Sequence, residues 1–359
     1  MFSYDNNGRC YCRKCIEFKG EIANIDKYIT PPNFKFKLNY KLSNEQKIIS
    51  DNLLGCEGDI YVDAVCGAGK TEIVFESINR SLRIGQRVGF IIPRREVVKE
   101  IFVRLKNIYQ NTEITCVYGG HSQKTDGDII VLTAHQSYKY NNKFGLIIVD
   151  EYDAFPFKNN EVLHKFVQDS CYGKRIFLSA TFSKQELLNK NHFSLNKRYH
   201  KQEIPIPIFR KVPNAFQIIF SFFLIKKLLK DDSKVVLVFF PTIALSRLYF
   251  SIYKPFFKNK IIIFNSKVFN KEKEFIKIKN KEYKIIITTT ILERGITIEN
   301  VDLVVIHAND NLFDKSTLIQ IAGRVGRVYP YTKGNIFFVA NCNSLAIKES
   351  ILEIKSKNE

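Results

Sequence analysis

Ala64-Val65-Cys66-Gly67-Ala68-Gly69-Lys70-Thr71 groups the residue types that hold phosphate. Small residues let a loop turn several backbone N–H groups toward one point, and a helix starting just beyond adds positive partial charge there. Lys70 can reach β- and γ-phosphates, and the Thr71 hydroxyl can hold Mg²⁺. Ala64 stands where such loops usually carry their first glycine. The octet therefore predicts a nucleotide cradle made by Ala64, Cys66, Gly67, Ala68, Gly69, Lys70 and Thr71. The competing reading is a glycine-rich turn followed by a surface lysine.

Six further stretches bear on the choice between them. Leu146 to Glu151 (LIIVDE) is an apolar run ending in two acids. Beside a phosphate-binding loop, Asp150 suits the metal's water shell and Glu151 suits the attacking water. A strand neighbouring the loop's own strand would deliver both. Leu178-Ser179-Ala180-Thr181 closes another apolar run with a hydroxyl pair, suited to linking nucleotide state to movement. Gln320-Ile321-Ala322-Gly323-Arg324-Val325-Gly326-Arg327 opens on an amide and places two arginines three apart, on one helix face or at a helix start. Their planar forks match phosphate oxygens, and either can act as an arginine finger. Thr288 to Gly295 (TTTILERG) follows an apolar run and can contact phosphate, of nucleic acid or of ATP, and Pro93-Arg94 and Thr133-Ala134-His135-Gln136 end apolar runs and can hold a nucleic-acid backbone without reading bases. Arg94, Thr133, His135 and Thr288 are the candidates there, against the plainer reading of structural loops. Gln46, 24 residues before Lys70, can read an adenine edge or simply cap a helix.

These residues need a scaffold that ends many strands at one edge. Apolar runs at Asp59–Val65, Arg87–Pro93, Ile114–Tyr118, Asp128–Thr133, Leu146–Asp150 and Arg175–Ser179 read as strands. Several are Ile/Val-rich without alternation, as strands buried on both faces are. Amphipathic segments such as Arg95 to Lys106 lie between them, and a helix is expected to start over Glu72 to Ser77. Strand–helix alternation of this kind predicts an α/β fold with parallel sheets. The proline-rich IPIPIFRKVP stretch, holding Pro205, Pro207 and Pro213, reads as an extended connector. Alternation then restarts, with strands expected at Lys234–Phe240, Lys260–Phe264, Lys284–Thr288, Asp302–His307 and Asn335–Ala340. The expected organisation is a cysteine-bearing segment over 1–35, one α/β domain over 36–207 and a second over 208–359.

Composition narrows the partners. The 359 residues carry a formal net charge of +19 with 45% apolar content. That excess favours a polyanion, nucleic acid first and an anionic membrane surface second. Phe216 to Ile225, the longest apolar run, is half of what a membrane span needs. The start, MFSYDNNGRC, has no apolar signal core. The eight cysteines show no disulfide framework and fit a reducing cytoplasm. Cys12 and Cys15 form a C-x2-C pair with Cys10 nearby, which suits two zinc ligands. There is no second C-x2-C pair, so free thiols are the alternative.

Taken together, AVCGAGKT, DEYD, LSAT and QIAGRVGR resemble superfamily 2 helicases. YCRKCI, AVCGAGKTE, PRREVVKE, TAHQ, DEYDAFPF, TTTILERGIT and QIAGRVGR narrow the resemblance to the ComFA family of competence ATPases, from Cys12 to about Phe338. The resemblance implies two tandem RecA-like domains, ATP and Mg²⁺ as cofactors, and single-stranded DNA across their tops. It implies ATP-driven uptake of transforming DNA at the cytoplasmic face of the membrane, with ComFC and DprA as partners. On it, Lys70 and Thr71 hold phosphate and Mg²⁺, Asp150 and Glu151 serve metal and water, and Gln320, Arg324 and Arg327 complete the site from the second domain. The family's zinc finger has a further cysteine pair upstream, absent from this sequence. TAHQ stands in place of the more usual TTHQ. The rival readings are a replication-restart or RNA helicase on the same scaffold and a non-hydrolysing DNA-binding adaptor.

Overall fold

The computed structural model describes residues 2–4, 10–12, 22–38, 40–121, 123–154, 156–157, 160–182, 184–200, 202–265, 271–289 and 298–358. They form two compact units. The first is Met1–Ala64 with Gly69–Leu195, and the second is Val65–Ala68 with Asn196–Glu359.

In the first unit, β1 (Phe2–Tyr4) pairs antiparallel with β2 (Cys10–Cys12). The chain continues through β3 (Lys35–Phe36), α1 (Asn44–Gly55), β4 (Asp59–Ala64), α2 (Phe75–Arg83), β5 (Val88–Ile92) and α3 (Arg95–Ile108). Then follow β6 (Tyr109–Gln110), β7 (Ile114–Val117), β8 (Ile129–Thr133), β9 (Phe144–Val149), α4 (Glu161–Ser170), β10 (Cys171–Ser179), α5 (Lys184–Leu187) and β11 (Asn191–Leu195). Seven strands make one parallel sheet in the order β11-β4-β10-β9-β5-β8-β7. β5, β8 and β9 are buried at every position, which explains their unbroken apolar sequence. Helices cover the faces through apolar stripes; α3 turns Val97, Val98, Ile101, Leu105 and Ile108 inward. α1 starts at a capping box in which the Ser43 side chain and Gln46 exchange bonds with each other's backbone.

The second unit runs β12 (Ile208–Lys211), α6 (Gln217–Leu228), β13 (Val235–Phe239), α7 (Ile243–Phe257), β14 (Ile261–Phe264), α8 (Lys271–Lys279) and β15 (Ile285–Thr288). It ends with β16 (Val301–Ile306), α9 (Lys315–Ala322), β17 (Ile336–Ala340) and α10 (Leu345–Asn358). Its six-stranded sheet is also parallel, in the order β12-β17-β16-β13-β15-β14. The core joins Val236, Val238, Ile285, Ile287 and Val304 from the strands to Ile225, Tyr249 and Tyr253 from the helices. Asp302 on β16 is buried and gathers Lys234 Nζ (3.1 Å), the Asn335 backbone N–H (2.7 Å) and the Asn335 amide (3.2 Å).

Two local features differ from the sequence reading. The proline-rich stretch is not wholly a connector, because Ile208–Lys211 pairs with β17 and forms the sheet edge. Edge strands tolerate flanking prolines, since one side needs no donors. The helix expected to start over Glu72 to Ser77 does so, as a 3₁₀ turn at Glu72–Val74 that runs into α2 at Phe75. Asn191–Leu195, unrecognised in the sequence, is the strand on the other side of β4.

Candidate nucleotide and nucleic-acid site

Parallel strands of the first unit finish together at one edge. Asp63 on β4 lies opposite Ser179 on β10, Val149 on β9 lies opposite Phe177, and Ile92 on β5 lies opposite Thr133 on β8. Ala64, Asp150, Arg94, Thr133 and the Ser179–Thr181 turn therefore emerge at the same end. This is the end where open parallel sheets bind ligands.

After β4 the chain turns through Val65 to Thr71. The Ala68 N–H donates to the Val65 carbonyl (3.0 Å), and the Glu72 N–H to the Gly69 carbonyl (3.2 Å). Gly67 and Gly69 take φ of +85° and +80°, a left-handed conformation that glycine adopts without cost. Gly69 also lies against the Gln46 amide; a Cβ there would sit 2.2 Å from its nitrogen. Gln46 is thus both the capping-box residue of α1 and a wall behind the loop. Thr71 is 8% exposed, and Glu72 behind it accepts from the Tyr40 hydroxyl (2.8 Å) and ion-pairs with Arg104. Tyr40, Glu72 and Arg104 are separated by 32 and 64 residues, so nothing in the sequence links them.

Asp150 and Glu151 follow β9. The sheet corrects one expectation: β9 is not beside β4, because β10 lies between them. The strand carrying Ser179 is thereby placed between the loop strand and the acidic strand. Burial pushes the Asp150 carboxyl up to about 6, the Lys70 ammonium opposing and Glu151 adding to the rise. Asp150 accepts from the Glu151 N–H (2.8 Å), and Glu151 holds φ +54°. Such a conformation in a non-glycine residue costs about 1–2 kcal/mol. Asp153 accepts from the Ser179 hydroxyl (2.7 Å) and the Thr181 hydroxyl (2.7 Å). The acid two positions after Glu151 is thus locked to the hydroxyl pair, a pairing that the sequence marks only by residue type. Tyr152 between them donates or accepts with His164 Nδ1 (2.9 Å) and packs on Phe157 and Phe177.

Mg²⁺ and nucleotide phosphate suit this set. Asp150 and Thr71 offer hard oxygen ligands, and a buried carboxylate that resists ionisation gains when a dication arrives. Arg94 precedes α3 as its N-cap, half-buried, and Thr133 and His135 lie at and just past the end of β8. Zinc finds no support: Cys12 is on β2, Cys15 lies outside the described residues, and the described residues contain no group of three or more possible metal ligands.

In the second unit, α9 begins at Asp314, which accepts from the Thr317 N–H (2.8 Å), and ends at Ala322. Gln320 is on its buried side. Arg324 and Arg327 are not on a helix face or at a helix start, as expected, but in the turn past the C-terminus. Gly323 and Gly326 break the helix there, Gly326 with φ +65°. Arg324 is 6% exposed and Arg327 half-buried. Thr288 ends β15 fully buried, with its hydroxyl on the Thr289 carbonyl (3.1 Å). Residues 290–297 of the same stretch lie outside the described residues.

Residues 43–189 match the DEAD/DEAH box helicase family and residues 221–329 the helicase conserved C-terminal domain. The competence protein ComFA of Streptococcus pneumoniae (strain ATCC BAA-255 / R6) is 32% identical over 98% of this chain and 86% of its own length. The competence protein ComFA of Bacillus subtilis (strain 168) is 29% identical over 99% of this chain and 82% of its own. The fold also resembles that of S. cerevisiae Dbp5 bound to RNA and ADP BeF3, with TM-score 0.67, 17% identity and 89% of each chain covered. Two RecA-like units carrying these motifs define an ATP-hydrolysing superfamily 2 helicase. Within that class, the chain belongs to the ComFA family of competence proteins.

Proposed function

We propose that the chain moves single-stranded DNA at the expense of ATP, driving the uptake of transforming DNA. The observation that carries this reading is Asp153, which holds Ser179 and Thr181 by two short hydrogen bonds directly behind Asp150 and Glu151. A change at the acidic pair on hydrolysis is passed through Asp153 to the end of β10, at the same sheet edge where the chain carries Thr133, His135 and Arg94. Lys70 and Thr71 hold the phosphates, Asp150 would hold Mg²⁺, and Glu151 orients the attacking water. Bound Mg²⁺ would supply charge neutralisation at the phosphates. Gln320, Arg324 and Arg327 serve the γ-phosphate.

The charge of +19 supports a polyanionic track. Relatives named as competence proteins support DNA rather than RNA as the track. ComFC, DprA and the cytoplasmic face of the membrane are the partners and location proposed with this reading. No described helix is long and apolar enough to cross a membrane. The two zinc-type cysteines, Cys12 and Cys15, stay a proposal for metal analysis.

The test is ATP hydrolysis by the full chain with single-stranded DNA, duplex DNA, RNA or no polymer. Stimulation by single-stranded DNA above all others is expected, with loss of hydrolysis in Lys70→Ala. Greater stimulation by RNA would replace DNA as the track, and hydrolysis that ignores every polymer would overturn the motor reading.

A further inference from the structure

The arginine-bearing turn of the second unit is buried and sharply bent. Val325 at its centre is fully buried. Its amides are accounted for, since Gly323, Arg324 and Val325 donate to Ile319 (2.8 Å), Ile321 (3.1 Å) and Ala322 (3.1 Å). Its carbonyls are the difficulty. They follow the C-terminus of α9, where the last turn leaves acceptors without helical partners and the helix dipole is negative.

Arg198 answers that demand. It lies 125 to 128 residues earlier in the chain, three residues into the second unit, and is 2% exposed. Nη1 donates to the carbonyls of Val325 (2.8 Å) and Gly326 (2.7 Å), and Nη2 to that of Gly323 (3.0 Å). A planar guanidinium is the side chain that can fan several N–H groups over three carbonyls of one turn; an ammonium is a single point and cannot span them. Burial, with the charge of Arg327 adding to its effect, lowers the Arg198 guanidinium to about 10. It remains a cation at neutral pH, so the donors are kept.

The geometry points to Arg198 as the positioning residue of the arginine turn. It grips the carbonyls of residues 323, 325 and 326 and so sets where Arg324 and Arg327 present their forks. It is not itself a phosphate ligand, because three of its N–H groups are spent on the turn and its Nε–H on the Cys66 carbonyl (3.1 Å). No motif marks it: NKRYH is an ordinary basic string, and its role exists only where the chain returns after more than a hundred residues.

This assignment rests on the function proposed above, and two readouts separate them. The first is hydrogen exchange of the full chain without nucleotide. In Arg198→Lys, faster exchange is expected at the amides of Gly323, Arg324 and Val325, confined to that turn. Unchanged exchange there overturns the assignment whatever the enzyme does. The second is kinetic. In Arg198→Lys, kcat for ATP hydrolysis is expected to fall about tenfold or more, with KM little changed. Combined with Arg324→Ala it should cause no further loss, because both act through one element. A double variant whose loss is the product of the two single losses overturns the assignment. Absence of hydrolysis in the unsubstituted chain overturns the proposed function, while the exchange result still decides the grip.

Discussion

Replacing Gly326 by alanine tests whether the arginine turn has one permitted shape. Two costs can be worked from the structure. Gly326 holds φ +65°, and a left-handed conformation costs an L-residue about 1–2 kcal/mol. A Cβ there would also lie 2.3 Å from the Thr332 carbonyl oxygen and 2.9 Å from its carbon. Carbon–oxygen contacts need about 3.3 Å, so the turn must move by roughly 1 Å. Overpacking of that kind costs about 1–3 kcal/mol, which brings the sum to about 2–5 kcal/mol. Gly58 is the matched control. Its φ is +71°, but a Cβ would meet nothing within 4 Å, so Gly58→Ala should cost about 1–2 kcal/mol. For units of this size, 1 kcal/mol shifts Tm by about 2–4 °C, so the two variants separate in a thermal melt. Their kinetics should separate further. A 1 Å misplacement costs about a hundredfold in rate, and Gly326→Ala is expected to lose that much in kcat while Gly58→Ala loses little. Equal melts and equal kcat for the two variants would refute both the clash and the positional demand on the turn.

Two other perturbations have defined outcomes. Asp302→Ala leaves Lys234 and two Asn335 groups facing an apolar strand without their shared acceptor. Breaking a buried charged cluster of this kind should destabilise the second unit by about 3–5 kcal/mol, read by denaturant unfolding; a loss below about 1 kcal/mol would show the cluster contributes nothing. His164, half-buried against Tyr152, has its imidazole pushed below the ordinary 6.5, chiefly by burial. The unfolded chain therefore binds this proton first, so stability rises with pH through the window between the lowered value and 6.5 and is lost as pH falls through it. The Tm of the unsubstituted chain should drop more between pH 7 and pH 5 than that of His164→Gln. Parallel curves would place His164 in solvent-like surroundings.

The local chemistry was legible because its signals are local. A glycine-rich octet with Lys70 and Thr71, an apolar strand ending in Asp150-Glu151, and two arginines three positions apart each state a function within a few positions. The strands themselves were legible from unbroken apolar runs, which only a sheet buried on both faces explains. Their order was not. Pairing in a parallel sheet joins segments through crossovers, and no residue of β9 records that β10 lies between it and β4. The same reason hid the bond from Asp153 to Ser179 and Thr181, 26 and 28 residues away, and the wall that Gln46 makes behind Gly69. Thr288 looked available because a threonine ending a strand often is, but packing buried it. By itself the sequence determined which residues carry the chemistry and what chemistry they suit. Only the tertiary structure decided what holds them. Arg198 shows why: carbonyls past a helix end need a donor, and the backbone offers no sequence signal naming the side chain that folding will bring to them.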